Sequence, residues 1–147
     1  HIRVCEELFS ATKSEFKHLE TYYFHNFLYE SVWKDNVRRH SERIPVYDVL
    51  HKFTGDYRVI VVGDAAMSPY EITSAGGSVE HWNEEPGAIW MERLQRHFPR
   101  LVWLNPERED HWKHSQSCQI TQQLIGADRM FPLSLAGLES AMKRLAH

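Results

Sequence analysis

Tyr57-Arg58-Val59-Ile60-Val61-Val62-Gly63-Asp64 is the stretch that decides the fold. Its four central residues are consecutive and β-branched, so the strand they form is apolar on both faces. A strand with one wet face alternates polar and apolar residues. An uninterrupted run implies helices covering both sides, as in a parallel sheet. Thr54-Gly55-Asp56 supplies the turn before it, and Gly63-Asp64-Ala65-Ala66 ends it.

Upstream, residues 2–17 place Ile2, Cys5, Leu8, Phe9, Thr12 and Phe16 at spacings of three and four, which predicts an amphipathic helix. His1 starts in mid-pattern, with no capping residue before it. Residues 20–27 and 29–33, rich in Tyr, Phe, Val and Trp, read as two short strands with a tight turn near Asn26. Residues 34–43 are polar and basic without periodicity and read as an exposed connection. Pro45 then opens a helix to about Phe53, with Val46, Val49, Leu50 and Phe53 inward.

Downstream, residues 67–83 contain Pro69, Gly76 and Gly77 and read as a long loop with no element of its own, functional or mobile. Glu84-Glu85-Pro86 starts the next helix with acids at its positive end. Ile89, Trp90, Leu94 and Phe98 form its inner face, and Pro99 stops it. Residues 101–104 form a buried strand ended by Asn105-Pro106. A helix over residues 110–125 follows, with Gly126 as its stop. Residues 129–133 make a last strand, and Ser134 caps a closing helix whose inner face is Leu135, Leu138, Met142 and Leu145. This alternation predicts a doubly wound α/β domain. Its mostly parallel sheet would have helices on both faces, and the 20–27 and 29–33 pair would give one antiparallel edge.

The length of 147 residues suits one core, and 42% apolar with 25% charged residues is an ordinary globular composition. The net charge is −3 and no Lys/Arg block interrupts it, which argues against nucleic-acid or anionic-membrane partners. Neither a transmembrane run nor a signal peptide is expected. Cys5 and Cys118 lack metal-type spacing and read as reduced, buried thiols in a cytoplasmic protein. The ten histidines follow no ligand pattern; only His111 and His114 lie one helical turn apart.

In a parallel sheet, ligands bind beyond the carboxyl ends of the strands. Those ends are His25-Asn26, Gly63-Asp64 and Asn105. A carboxylate at the exit of an apolar strand needs a cation or backbone N–H partners. Asp64 therefore reads either as a metal or ligand contact, or as a loop cap bonded to the amides of Ala66 and Met67. Dinucleotide and phosphate-loop glycine patterns and the hydrolase Gly-x-Ser-x-Gly elbow are missing. Gly76-Gly77-Ser78 lies in the long loop and makes a poor phosphate cradle. Glu84 and Glu85 suit helix capping better than acid–base catalysis.

Several strings resemble the CoxE-like branch of von Willebrand factor A domains. They are Glu15-Phe16-Lys17-His18-Leu19-Glu20, Tyr23-Phe24-His25-Asn26 and Tyr29-Glu30-Ser31-Val32-Trp33-Lys34-Asp35-Asn36. Val62-Gly63-Asp64-Ala65, Met67-Ser68-Pro69-Tyr70-Glu71-Ile72, Gly76-Gly77-Ser78-Val79-Glu80-His81-Trp82-Asn83-Glu84-Glu85 and Trp103-Leu104-Asn105-Pro106 continue the likeness over nearly the whole chain. The resemblance implies a domain that opens with a central strand and an Asp-x-Ser-x-Ser loop leading into the helix that here begins at Ile2. These 147 residues contain neither the strand nor the loop. It further implies a metal-ion-dependent adhesion site, usually for Mg²⁺, to which the loop, a Thr and an Asp contribute. Asp64 matches the Asp. The Thr has no match among Ile44, Pro45 and Val46, and Ser41 is a weak substitute.

The function so implied is protein binding beside a MoxR-type AAA+ ATPase or its client, in the assembly or maturation of a metalloenzyme. His25, Asn26, Ser68, Tyr70, Trp82 and Asn105 would contact the partner. Two other readings stand beside it. One is a small-molecule or nucleotide-binding enzyme using His25, His81 and Asp64; the other is a metal-free scaffold anchored by Tyr70 and Trp82.

Overall fold

A computed structural model describes residues 2–11, 16–35, 43–78 and 82–146, with the side chains of Ile2 and Ala11 excepted. The elements run α1 (Ile2–Ala11), β1 (Ser31–Trp33), β2 (Arg43–Pro45), α2 (Val46–Lys52) and β3 (Val59–Val62). They continue with α3 (Pro69–Thr73), α4 (Gly87–His97), β4 (Leu101–Asn105), α5 (Glu109–Trp112), α6 (Gln116–Ile125), β5 (Met130–Pro132) and α7 (Leu135–Leu145).

The fold is α/β. β3, β4 and β5 form a parallel sheet in that order, with Val61 beside Trp103 and Trp103 beside Met130. All five residues of central β4 are buried, as a strand with neighbours on both edges and cover on both faces requires. Alternation along the strands divides the core. Ile60, Val62, Val102 and Leu104 pack with Leu138, Ala141 and Leu145 of α7 and with Leu8 and Phe9 of α1. Val59, Val61, Leu101 and Trp103 pack with Trp90 and Leu94 of α4 and with Cys118 and Ile125 of α6.

The upstream third departs from the sequence expectation. β1 and β2 form a separate antiparallel sheet with Ser31 beside Pro45, so the antiparallel edge is not part of the parallel sheet. Its second strand, Arg43–Pro45, takes up the expected end of the exposed connection at Arg43 and the expected start of the helix at Pro45. Residues 20–27, expected as a strand, retain only the isolated bridges Tyr23–Trp33 and His25–Phe27. The turn at Asn26 holds: Phe27 N–H donates to His25 O at 2.7 Å around an Asn26 with φ of 59°, a conformation Asn tolerates. Pro45 stands just before α2 rather than inside it, and the first helical N–H, of Val46, donates to Glu30 O.

Two helical segments differ from the sequence expectation. Pro69–Thr73 is helical inside the expected loop, led by Ser68-Pro69 with Glu71 two residues on, a start signal outweighed by the nearby glycines. The single helix expected over 110–125 is two, because Ser115 re-caps the chain by accepting from Cys118 N–H. α1 is described only to Ala11, so Thr12 of its expected stripe lies outside the described residues. No helix among the described residues is long and apolar enough to cross a membrane.

Candidate functional site at the carboxyl edge of the sheet

Where β3 ends, Gly63 O accepts from Trp103 Nε1 at 2.8 Å and Asp64 turns the chain. Asp64 Oδ1 accepts from Ala66 N–H at 3.0 Å, the loop-capping bond. The other capping bond expected, from Met67 N–H, goes instead to Ser117 Oγ at 3.1 Å. Ala65 between them has φ of 54°, a left-handed conformation costly for a residue with a Cβ. It is held by its neighbours: Ser117 Oγ donates to Ala65 O at 2.5 Å, and the Ala65 side chain is fully buried.

Asn105, at the end of β4, faces inward. Its Nδ2 donates to Asp64 O at 3.2 Å and its Oδ1 accepts from Glu107 N–H at 2.9 Å, so it ties the ends of β3 and β4 together. Nδ2 also lies 3.6 Å from Cys118 Sγ. Burial pushes the Cys118 thiol above its ordinary pKa; the Asn105 bond opposes this and the charge of Asp64 adds to it. Cys118 is accordingly a buried, neutral packing group. Cys5 is half-buried, and both thiols are free.

A second knot lies next to this edge. Glu71, only 3% exposed, accepts from Asn26 Nδ2 at 2.9 Å through Oε1 and from Ser68 N–H at 3.1 Å through Oε2. The Tyr29 hydroxyl donates to Glu71 O at 2.6 Å, and burial, followed by the Glu71 charge, raises its pKa. A buried carboxylate with fixed donors costs far less than an unpartnered one. Asn26 and Ser68, expected at the partner surface, thus serve to fix α3 against the turn at residues 25–27. His25 takes part in that turn through its carbonyl.

The loop after α3 is latched by Asn83, which is fully buried. Its Oδ1 accepts from Ser78 N–H at 2.9 Å, its Nδ2 donates to Glu85 O at 2.8 Å and to Ser74 O at 3.4 Å, and its backbone O accepts from Gly76 N–H at 2.7 Å. Outside this latch stand Tyr70, 69% exposed, and Trp82, 73% exposed. The site therefore brings Asp64 and Asn105 together, ties Asn26 to Ser68 through Glu71, and leaves Tyr70 and Trp82 to solvent. His81 lies outside the described residues. Ser117, Glu71 and Asn83 escaped the sequence reading. Only Glu71 carried a local signal, its place three residues after Ser68.

β3 itself has an open side. Val59 and Gly63 N–H donate to Arg100 O and Leu104 O, so odd-numbered backbone groups face β4 and those of Ile60 and Val62 face away. Among the described residues no backbone partner meets Ile60 or Val62 on that side. The His18 ring lies 6.3 Å from that of Tyr57 just before β3, and the Phe24 ring packs at Gly63 just after it.

The chemistry of the edge limits what it can hold. Among the described residues no three His, Cys, Asp or Glu side chains converge, and Asp64 is a single carboxylate with one oxygen already bonded. Mg²⁺ is bound through one or two carboxylates and keeps several waters, and Asp64 is one such carboxylate at this edge. No family model, no curated protein and no solved structure matches the chain.

Proposed function

We propose that this chain is a doubly wound protein-binding module of the von Willebrand factor A type. In this reading it is cytoplasmic and works beside a MoxR-type AAA+ ATPase in the assembly or maturation of a metalloenzyme. The observation that carries the reading is the open side of β3. A strand apolar on both faces belongs inside a sheet, yet among the described residues Ile60 and Val62 find no backbone partner there, and the strand ends at Asp64. A central strand needs two neighbours, and this edge offers the place of one. Its carboxyl end would then lie beside Asp64, where the resemblance puts the adhesion site.

The residues around Asp64 hold the edge in place. Ser117 fixes Ala65, Asn105 ties β3 to β4, and Glu71 pins α3 beside them.

The deciding measurement extends the chain before residue 1 with an apolar strand and an Asp-x-Ser-x-Ser loop. Thermal unfolding is then followed while Mg²⁺ or Mn²⁺ is titrated. At a hundred times the dissociation constant the ion should add about 2.7 kcal/mol. No stabilisation, or the same stabilisation in Asp64→Ala, overturns the site. Capture of a MoxR-type ATPase by the extended chain, lost on chelation, would support the partner; retention in chelator would refute the metal bridge.

A further inference from the structure

Each strand of the parallel sheet is entered through an arginine. Arg58 precedes Val59 of β3, Arg100 precedes Leu101 of β4 and Arg129 precedes Met130 of β5. Parallel strands bring their beginnings to one edge, here the edge opposite Asp64. Val59 lies beside Leu101 and its N–H donates to Arg100 O at 3.0 Å, so Arg58 and Arg100 are neighbours. Arg129 starts further along but reaches back. Its Nη1 donates to Pro99 O at 2.8 Å and to Leu101 O at 3.2 Å, on either side of Arg100. With strands about 4.8 Å apart, the row spans about 10 Å.

The three side chains are held differently. Arg58 Nε donates to Leu145 O at 3.1 Å, at the end of α7, and Arg129 is tied by its two carbonyls. Such bonds fix a guanidinium without neutralising it, and each leaves further N–H donors. Arg100 is exposed, and among the described residues its side chain makes no hydrogen bond or ion pair. Two carboxylates stand near the row. Asp56 is held below the ordinary carboxylate range by the Thr54 hydroxyl first, and the charges of Arg100 and Arg58 add to this. Asp128, next to Arg129, is already engaged by Arg144 Nε at 3.2 Å.

We propose that Arg58, Arg100 and Arg129 form a docking face for a short acidic segment of a partner protein. Arg100 takes one carboxylate through its planar donor fork, and Arg58 and Arg129 draw in the carboxylates beside it. Asp56 and Asp128 are exposed and interrupt the positive surface. A continuous phosphate backbone meets repulsion there, whereas a few Asp or Glu side chains can address the guanidiniums one by one. The face lies at the other end of the strands from Asp64 and needs no metal.

The test is an NMR titration of the chain in chelator, at about 0.1 M salt, with a capped hexapeptide carrying four aspartates. The amides of Val59, Leu101 and Met130 should shift saturably, and those of Ala66 and Glu107 should not. The lysine counterpart of the peptide should move neither set. Arg100→Gln removes an exposed, unbonded side chain and should weaken binding about threefold or more. Asp56→Asn should tighten binding. Glu109→Gln makes the same change in net charge at the opposite edge and should not. The five residues of β4 between the two edges span about 17 Å, beyond the screening length of about 10 Å. Thermal unfolding checks that each variant is folded. Unmoved amides at the arginine edge, an unchanged affinity in Arg100→Gln, equal tightening in Glu109→Gln, or tighter binding of a thymidine pentamer of the same charge would each overturn the face.

Discussion

Replacing Asn83 by Ala tests whether the loop between α3 and α4 is an ordered part of the domain. The side chain is fully buried and makes two good hydrogen bonds, from Ser78 N–H at 2.9 Å and to Glu85 O at 2.8 Å, with a weaker third to Ser74 O at 3.4 Å. Removing one partner of a buried bond costs about 1–3 kcal/mol, because the group left behind keeps its desolvation penalty. Two such groups sum to about 2–6 kcal/mol. Ser78 and Glu85 are only half-buried, so water reaches them after truncation and the low end of that range applies, about 2–3 kcal/mol. At about 2–4 °C per kcal/mol, the melting temperature should fall by about 4–12 °C. Urea unfolding of both proteins, with the midpoint and the slope fitted separately, measures this directly. A loss below about 1 kcal/mol at unchanged slope would refute the latch. Asn83→Asp adds a second check. It keeps an acceptor for Ser78 but turns a carboxylate toward two carbonyls, so it should be at least as damaging at neutral pH and should recover partly once protonated.

Two further predictions test other parts of the domain. Gly137→Ala in α7 should destabilise by about 3 kcal/mol or more, although helix propensity alone favours Ala by about 1 kcal/mol. The new Cβ would stand 1.7 Å from the backbone oxygen of Pro132, which cannot swing aside as a side chain can; an unchanged or higher melting temperature would refute the packing of α7 on β5. Hydrogen bonds from Arg93 hold the Glu85 carboxyl below its ordinary pKa. The pair therefore contributes above about pH 4.3 and its contribution fades as pH falls through the lower folded-state value. Glu85→Gln should flatten the acid limb of the stability curve and leave the neutral-to-alkaline limb parallel to the parent; an identical acid limb would show that the pair is solvated away.

What was legible in the sequence was whatever rests on local pattern. The run 59–62 announced a strand covered on both faces, and β4 and α7 followed from short apolar runs and the Ser134 cap. Asp64 was placed at the edge by the same logic, and its loop-capping bond to Ala66 was among the alternatives. The failures lie where partners distant in sequence decide. Residues 20–27 have strand composition, but a strand exists only with a neighbour, and Tyr23 finds one for a single bridge at Trp33. Arg43–Pro45 is a strand because Ser31–Trp33 pairs with it, not because of its own residues. Ser117 reaches the Asp64 loop across 52 positions, Asn105 across 41, and Glu71 meets Asn26 across 45. Hydrophobic periodicity is a one-dimensional signal and specifies which face is buried. Which polar side chain closes which loop depends on the packing that brings them within 3 Å of one another, and that only the tertiary structure decided.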